Sequence, residues 1–297
     1  MSPAALALHY GQTVFEGMKA FRMVDGRINI FRIEKHYDRF SKSLDRMCME
    51  IPPKEIFEEG LYALVEKDKA WVPAQPDTAL YLRPFVIATE ERLGVKVSSD
   101  YRFIIFTGPV GKLYPRPIKV KIETNYTRAA KGGTGFTKCG GNYGASFYPT
   151  QIARKEGFDQ VLWTDSLNHQ FIEESGAMNV MFVINNVLLT PPTSETILDG
   201  VTRDSILQLA RDNGYLTEER PVSIDELIMA FHNKTITEAA GVGTAAVVLP
   251  FSTIGIKNTA YHLPEYSDEG ILGKLKQKLE RIRSGQEKDI YGWNNVV

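Results

Sequence analysis

Lys138 stands in a run rich in glycine, Gly132-Gly133-Thr134-Gly135-Phe136-Thr137-Lys138-Cys139-Gly140-Gly141-Asn142-Tyr143-Gly144, and that setting points to amine chemistry. Glycine removes the side-chain bulk that would hold a ligand away. A lysine kept near apolar or cationic groups can lose its proton and attack carbonyls, which is the requirement for a Schiff base. Taken alone, the segment also reads as a surface loop with a solvated lysine. A phosphate-cradling P-loop fits poorly, because that motif wants Gly before its lysine and Ser or Thr after it; here Thr137 precedes and Cys139 follows.

A pyridoxal phosphate site needs a lysine for the aldehyde, an acid for the pyridine nitrogen, a donor for the phenolic oxygen, and backbone amides with a cation for the phosphate. Glu173 and Glu174 lie side by side in Phe171-Ile172-Glu173-Glu174-Ser175-Gly176-Ala177-Met178-Asn179. On an extended segment neighbours point to opposite sides, so one of the two can face a ring and keep its nitrogen protonated. The alternative is a solvated acidic loop. Leu198-Asp199-Gly200-Val201-Thr202-Arg203-Asp204 places a Gly turn at a helix start, whose first amides suit an anion. A second turn, Ala240-Gly241-Val242-Gly243-Thr244-Ala245-Ala246, offers close backbone approach and a hydroxyl, or simply joins two strands.

The elements that must carry these residues can be read from periodicity. Val14 to Phe31 reads as two strands joined at Val24-Asp25-Gly26, since Asp-Gly tolerates positive φ. Glu34 to Met49 spaces Ile33, Tyr37, Phe40, Leu44 and Met47 as a helix, with Pro52 and Pro53 beyond it. A helix over Lys54 to Asp68 and strands over Ala79 to Thr89 and Tyr101 to Thr107 complete an α+β unit. Pro109 to Pro117 is the most turn-rich stretch between strands and serves as the candidate linker. Beyond it, strands at Lys119 to Glu123, Gln160 to Thr164, Asn179 to Ile184 and Val187 to Thr190 alternate with helices at Tyr143 to Glu156, Arg203 to Asn213 and Ile224 to Asn233. Glu269 to Ser284 carries an apolar stripe, Ile271, Leu272, Leu275, Leu279 and Ile282, which reads as a helix docked on a core.

The chain has 297 residues, a formal net charge of -1 and an ordinary charged fraction of 24%, so it gives no basic footprint for nucleic acid or anionic membrane. Small-molecule chemistry is the better expectation. Cys48 and Cys139 form no CxxC pair, and the 5 histidines lack paired metal-ligand spacing, so neither a disulfide scaffold nor a metal site is expected. No basic leader precedes the first apolar residues, and Asn185 and Asn186 interrupt the longest apolar stretch, so a soluble cytoplasmic protein is expected.

In its ordered motifs the chain resembles the branched-chain-amino-acid aminotransferases, members of the fold-type IV pyridoxal phosphate enzymes. The resemblance runs from His9 to the Trp293 tail. It rests on His9-Tyr10-Gly11-Gln12-Thr13-Val14-Phe15-Glu16-Gly17-Met18-Lys19-Ala20, Leu80-Tyr81-Leu82-Arg83-Pro84, Arg128-Ala129-Ala130, the Lys138 segment, Glu174 to Asn179, Gly200-Val201-Thr202-Arg203 and Gly243-Thr244-Ala245. It implies an α+β chain of two α/β domains, with the active site at their interface: a small domain over 1–112, a linker over 113–121 and a large pyridoxal phosphate-binding domain over 122–297.

The resemblance also implies roles. Lys138 would hold the cofactor as a Schiff base and move the Cα proton; Glu174 would hold the pyridine nitrogen and Tyr143 the phenolic oxygen. Arg39, the amides of Val201 and Thr202, and Thr244 would bind phosphate, with the amides of Ala177 and Ala245 near the substrate carboxylate. Tyr10, Phe15, Tyr81, Arg83 and Tyr114 would shape the side-chain pocket, part of it supplied by the second subunit of a homodimer. Glutamate must enter that largely apolar pocket as amino donor, and Arg83 is the candidate for its distal carboxylate.

Three departures stand out. The family usually carries a further N-terminal stretch before the His-Tyr-Gly motif, so the chain reads as truncated there. Ala246 and Leu249 replace a redox CxxC of some animal members, and Ala177 replaces a hydroxyl residue of some relatives. Within the same fold, a D-amino-acid aminotransferase or a 4-amino-4-deoxychorismate lyase is the alternative; from another class, a non-catalytic ligand-binding homologue. Such a scaffold has no need of Lys138, Glu174 and Tyr143 together.

Overall fold

The computed structural model describes residues 1–112 and 114–297. Along the chain, α1 (Leu6–Tyr10), β1 (Thr13–Phe15), β2 (Met18–Arg22) and β3 (Ile28–Phe31) precede α2 (Ile33–Arg46) and α3 (Lys54–Lys67). Then come β4 (Ala79–Ala88), β5 (Tyr101–Val110), β6 (Ile118–Ile122), α4 (Gly141–Gly144), α5 (Phe147–Lys155), β7 (Gln160–Thr164) and β8 (Ile172–Ser175). The remainder is β9 (Met178–Ile184), β10 (Val187–Thr190), α6 (Val201–Asp212), β11 (Thr217–Glu219), α7 (Ile224–His232), β12 (Ile236–Gly243), β13 (Val247–Ile256), β14 (Thr259–His262), α8 (Ile271–Arg283) and β15 (Asn294–Val296).

The chain forms two compact units, Met1–Lys112 with Thr137–Gly141 and Glu280–Val297, and Leu113–Phe136 with Asn142–Leu279. The chain therefore re-enters the first unit twice, where a simple succession of domains was expected. Strand pairing is the reason: Cys139 bridges Val14 on β1, and β15 pairs antiparallel with β3.

In the first unit an antiparallel sheet runs β1-β4-β2-β3-β15, with β5 along the other edge of β4. Alternation along β4 buries Leu80, Leu82 and Val86 and turns Tyr81 and Arg83 to the opposite face. On the core side, Ile33, Phe40 and Leu44 of α2 and Phe57, Leu61 and Val65 of α3 pack with them. Two expectations are adjusted here. α2 ends at Arg46, before the prolines, because the Met47 and Cys48 amides bond back to Ser43, Leu44 and Asp45 while Cys48 turns left-handed at φ 53°. Pro109 belongs to β5, an edge strand that tolerates a missing N–H, so β5 runs on to Val110 and the next strand opens at Ile118.

In the second unit the pairing β9-β12-β13-β6-β7-β8 returns from β8 to β9, so the sheet closes on itself as a barrel, with β10 and β11 extending from β9. Val180, Phe182, Val120, Leu162, Phe251 and Ile254 fill its core. The single helix expected over Tyr143 to Glu156 is two, because the Ser146 amide and hydroxyl both close onto the Tyr143 carbonyl, at 3.1 and 2.7 Å. The stripe on α8 is buried at all five positions.

Candidate active site

In the first unit Lys138 is mounted as an addition to the edge of β1. Its carbonyl accepts the Phe15 amide at 3.1 Å and its amide donates to Ser43 Oγ at 3.0 Å, while the Gly140 amide reaches the Thr13 carbonyl at 3.1 Å. The lysine Nζ lies 5.0 Å from the centre of the Phe15 ring, and the Arg83 guanidinium stacks on the same ring at 4.5 Å. Arg83 Nη2 donates to the Tyr81 hydroxyl at 2.8 Å, and a Cβ at Gly17 would overlap that hydroxyl, so a larger residue there would displace the Tyr81 ring. Arg83 Nε is buried without a hydrogen-bond partner. Lys138, Phe15, Tyr81 and Arg83 thus form one cluster. Tyr10, at the end of α1, directs its hydroxyl to the Leu93 carbonyl instead.

Arg39 sits on α2 and is engaged by Glu16, a residue the sequence reading had placed only within a motif. Its Nε donates to Oε1 and its Nη2 to Oε2, both at 2.8 Å. His36 Nδ1 lies 2.8 Å from the same Oε2. Burial opposes charge on Glu16, but the Arg39 charge and the hydrogen bonds hold its carboxyl far below the usual carboxylate range. Burial pushes the His36 imidazole down, against the pull of Glu16.

In the second unit Glu174 and Glu173 part company as strand geometry requires. Glu174 Oε1 accepts Asn179 Nδ2 at 3.1 Å and the Leu198 amide at 3.0 Å, and Oε2 takes Arg128 Nη2 at 2.9 Å. All these partners are donors, which suits an ionised carboxylate of the kind that holds a protonated ring nitrogen. Arg128 Nη2 also meets the Gly135 carbonyl at 3.1 Å and the Thr196 carbonyl. Glu173 instead accepts the Thr196 hydroxyl at 2.5 Å, its second oxygen has no partner, and burial raises its carboxyl. Arg128 and Asn179 neighbour Glu174 with no role expected for either; Arg128 opens the Arg128-Ala129-Ala130 motif, and Asn179 lies opposite Glu174 in the β8–β9 hairpin.

Register gathers the other second-unit candidates at one end of the barrel. Asn179 faces Glu174 on one side and Val242 on the other, which puts the Gly176-Ala177 turn and the Thr244-Ala245 turn at the same end. Gly200 approaches Asn179 so closely that any Cβ would overlap its Oδ1, and the α6 start with Val201 and Thr202, both buried, follows directly. Gly200 caps that helix with no side chain. Tyr114 joins through Gln160, whose Nε2 donates to its hydroxyl at 3.1 Å and whose amide lies against Gly176. Tyr143, in α4, follows Asn142, which exchanges hydrogen bonds of 2.8 and 2.7 Å with Thr134 in the glycine-rich run. A ring with an acid, an anion-suited helix start and a hydroxyl turn around it is what the donor chemistry at this end fits.

Comparisons with known proteins identify the family of the chain. The model of the amino-transferase class IV family matches residues 13–254. Branched-chain-amino-acid aminotransferase 2 of Bacillus subtilis is 41% identical over 100% of this chain and 83% of its own length. The branched-chain aminotransferase of Thermoproteus uzoniensis, solved with norvaline, superposes with a TM-score of 0.84 at 25% identity, covering 100% of this chain and 93% of that one. Another branched-chain amino acid aminotransferase, solved with pyridoxamine 5'-phosphate, gives a TM-score of 0.83 at 27% identity over 99% of this chain and 92% of that one. With identity of this order along its whole length, the chain belongs to the class IV aminotransferases and, among them, to the branched-chain-amino-acid aminotransferases of fold-type IV.

Proposed function

We propose that this protein transfers the amino group of leucine, isoleucine and valine to 2-oxoglutarate with pyridoxal 5'-phosphate, giving branched-chain 2-oxo acids and L-glutamate. The observation that carries this reading is identity along the entire chain to branched-chain-amino-acid aminotransferases. The D-amino-acid aminotransferase and aminodeoxychorismate lyase readings have no comparable support. The cofactor supplies an aldehyde for the amino group and a ring that takes up electrons from Cα. Lys138 Nζ would hold the aldehyde and carry the Cα proton. Glu174 keeps the ring nitrogen protonated, and Tyr143 donates to the phenolic oxygen. Arg39, the Val201 and Thr202 amides and Thr244 hold the phosphate, and the Ala177 and Ala245 amides orient the substrate carboxylate. Phe15, Tyr10, Tyr81 and Tyr114 exclude water from the aliphatic side chain, and Arg83 receives the distal carboxylate of glutamate.

Amino acids and 2-oxo acids are the partners of such an enzyme. A homodimer or higher homo-oligomer in the cytoplasm is the setting proposed; among the described residues no helix is long and apolar enough to cross a membrane. The test begins with the purified protein, which should show a visible absorbance band that borohydride bleaches. Lys138→Ala should keep the fold and lose transamination by several orders of magnitude, since nucleophile and proton carrier vanish together. Undiminished turnover of that variant, or preference for D-alanine or aminodeoxychorismate over L-leucine, would end the reading.

A further inference from the structure

We infer that Glu16 is a positioning residue for the cofactor phosphate: it orients Arg39 in advance, so affinity for a phosphorylated cofactor depends on a carboxylate outside the proposed phosphate contacts. The inference rests on the reading of Arg39 as a phosphate ligand. Glu16 is 0% exposed and meets the guanidinium edge-on through two hydrogen bonds of 2.8 Å, a fork that fixes both the plane and the roll of the arginine. Its Oε2 also takes His36 Nδ1 at 2.8 Å and the Gly17 amide at 3.2 Å. A carboxylate accepts only, so His36 carries its proton on Nδ1. His36, Arg39 and Ser43 recur at helical spacing, so they share one face of α2. All three are buried, and Ser43 Oγ holds the Lys138 amide. On the strand side, Phe15 precedes Glu16 and holds the Lys138 carbonyl. Glu16 therefore fixes the cation on the same helix face whose Ser43 holds the lysine mount. A buried arginine with this counter-ion keeps its orientation before any phosphate arrives, and affinity then loses less to ordering.

The test separates phosphate from the rest of the cofactor. Apoprotein is titrated with pyridoxal 5'-phosphate and, separately, with pyridoxal, following the visible band or quenching of intrinsic fluorescence. Glu16→Gln should weaken pyridoxal 5'-phosphate about ten- to a hundredfold, the range for a hydrogen bond to a charged group, and leave pyridoxal nearly unchanged. Arg39→Met should do the same, and the double variant should add little. Glu16→Asp, which keeps the charge but shortens the arm, should give the same phosphate-selective loss on a smaller scale, and it serves where Glu16→Gln fails to fold. Equal weakening of both ligands in the Glu16 variants would overturn the inference in favour of a general structural role. Unchanged affinity in the Glu16 variants, with Arg39→Met impaired, would also overturn it while leaving the Arg39 reading intact. If Arg39→Met itself bound normally, the phosphate reading of Arg39 would fall.

Discussion

Glu16 and Glu174 are both buried carboxylates paired with an arginine, but the first is bound by one helix face and the second by segments far apart in the chain. Glu16 takes Arg39 twice and His36 once, all from α2, plus the adjoining Gly17 amide. Glu174 takes Arg128 from the segment before the glycine-rich run, Asn179 across a hairpin, and the Leu198 amide from the approach to α6. Removing Glu16 should disturb the aim of one guanidinium. Removing Glu174 or its arginine should loosen the ties among those segments as well as the site's chemistry. Glu173, next door on β8, supplies a control: it is buried too, yet its bonded partner is a hydroxyl, not a cation.

The comparison is broken most forcefully through Arg128. Arg128→Met leaves Glu174 charged, buried and without its cation, which should cost about 3–5 kcal/mol of stability in denaturant unfolding. Arg211→Met, at a pair whose arginine is half-exposed, should cost about 1 kcal/mol or less. Similar losses in the two variants would mean that Arg128 is dispensable to the barrel end. Next in size, Glu174→Gln should lower kcat by about a hundredfold or more at saturating cofactor, as the charge facing the ring nitrogen disappears. A kcat close to that of the parent protein would assign the ring contact elsewhere.

Arg83 sharpens the contrast from the other direction, because its Nε is a buried donor with no partner. Arg83→Met should slow the glutamate half-reaction about tenfold more than the leucine half-reaction, the scale of one charge-assisted hydrogen bond. Equal losses would make Arg83 a structural member of the Phe15 stack.

The smallest effect is expected at Glu173. Burial raises its carboxyl above the ordinary 4.5, so the folded state binds a proton that the unfolded state releases as pH rises past 4.5. Stability contributed by that proton is present below 4.5 and is lost as pH climbs through the raised value. Glu173→Gln mimics the protonated form, so it should change kcat little and stabilise near neutrality by about 1 kcal/mol or less, with the gain vanishing below pH 4.5. A gain that persisted or grew in acid would reverse the assignment of the two glutamates.

Much of the fold was legible because the signals were local. The period along β4 set Tyr81 and Arg83 on one face, and the α8 stripe announced a buried helix; both depend only on spacing. The β12 and β13 strands were missed, although their glycine turn was noticed, since β12 is rich in Ala and Gly and β13 is buried on both faces over much of its length, so neither alternates cleanly. The turn after Tyr143 was missed for another reason: a serine closing back on a carbonyl looks, in letters, like the interior of a helix.

The sequence by itself determined the chemistry on offer: a lysine among glycines, two neighbouring carboxylates forced to opposite faces, and a glycine opening a helix. Tertiary structure alone decided which groups meet. That Glu16 clasps Arg39 depends on α2 presenting one face to the end of β1, and that Glu174 meets Arg128 depends on the loop after β6 reaching β8. Such pairings join residues distant in sequence through backbone register and burial. A charged side chain without water must find its partner wherever packing puts it, and no local spacing encodes that position.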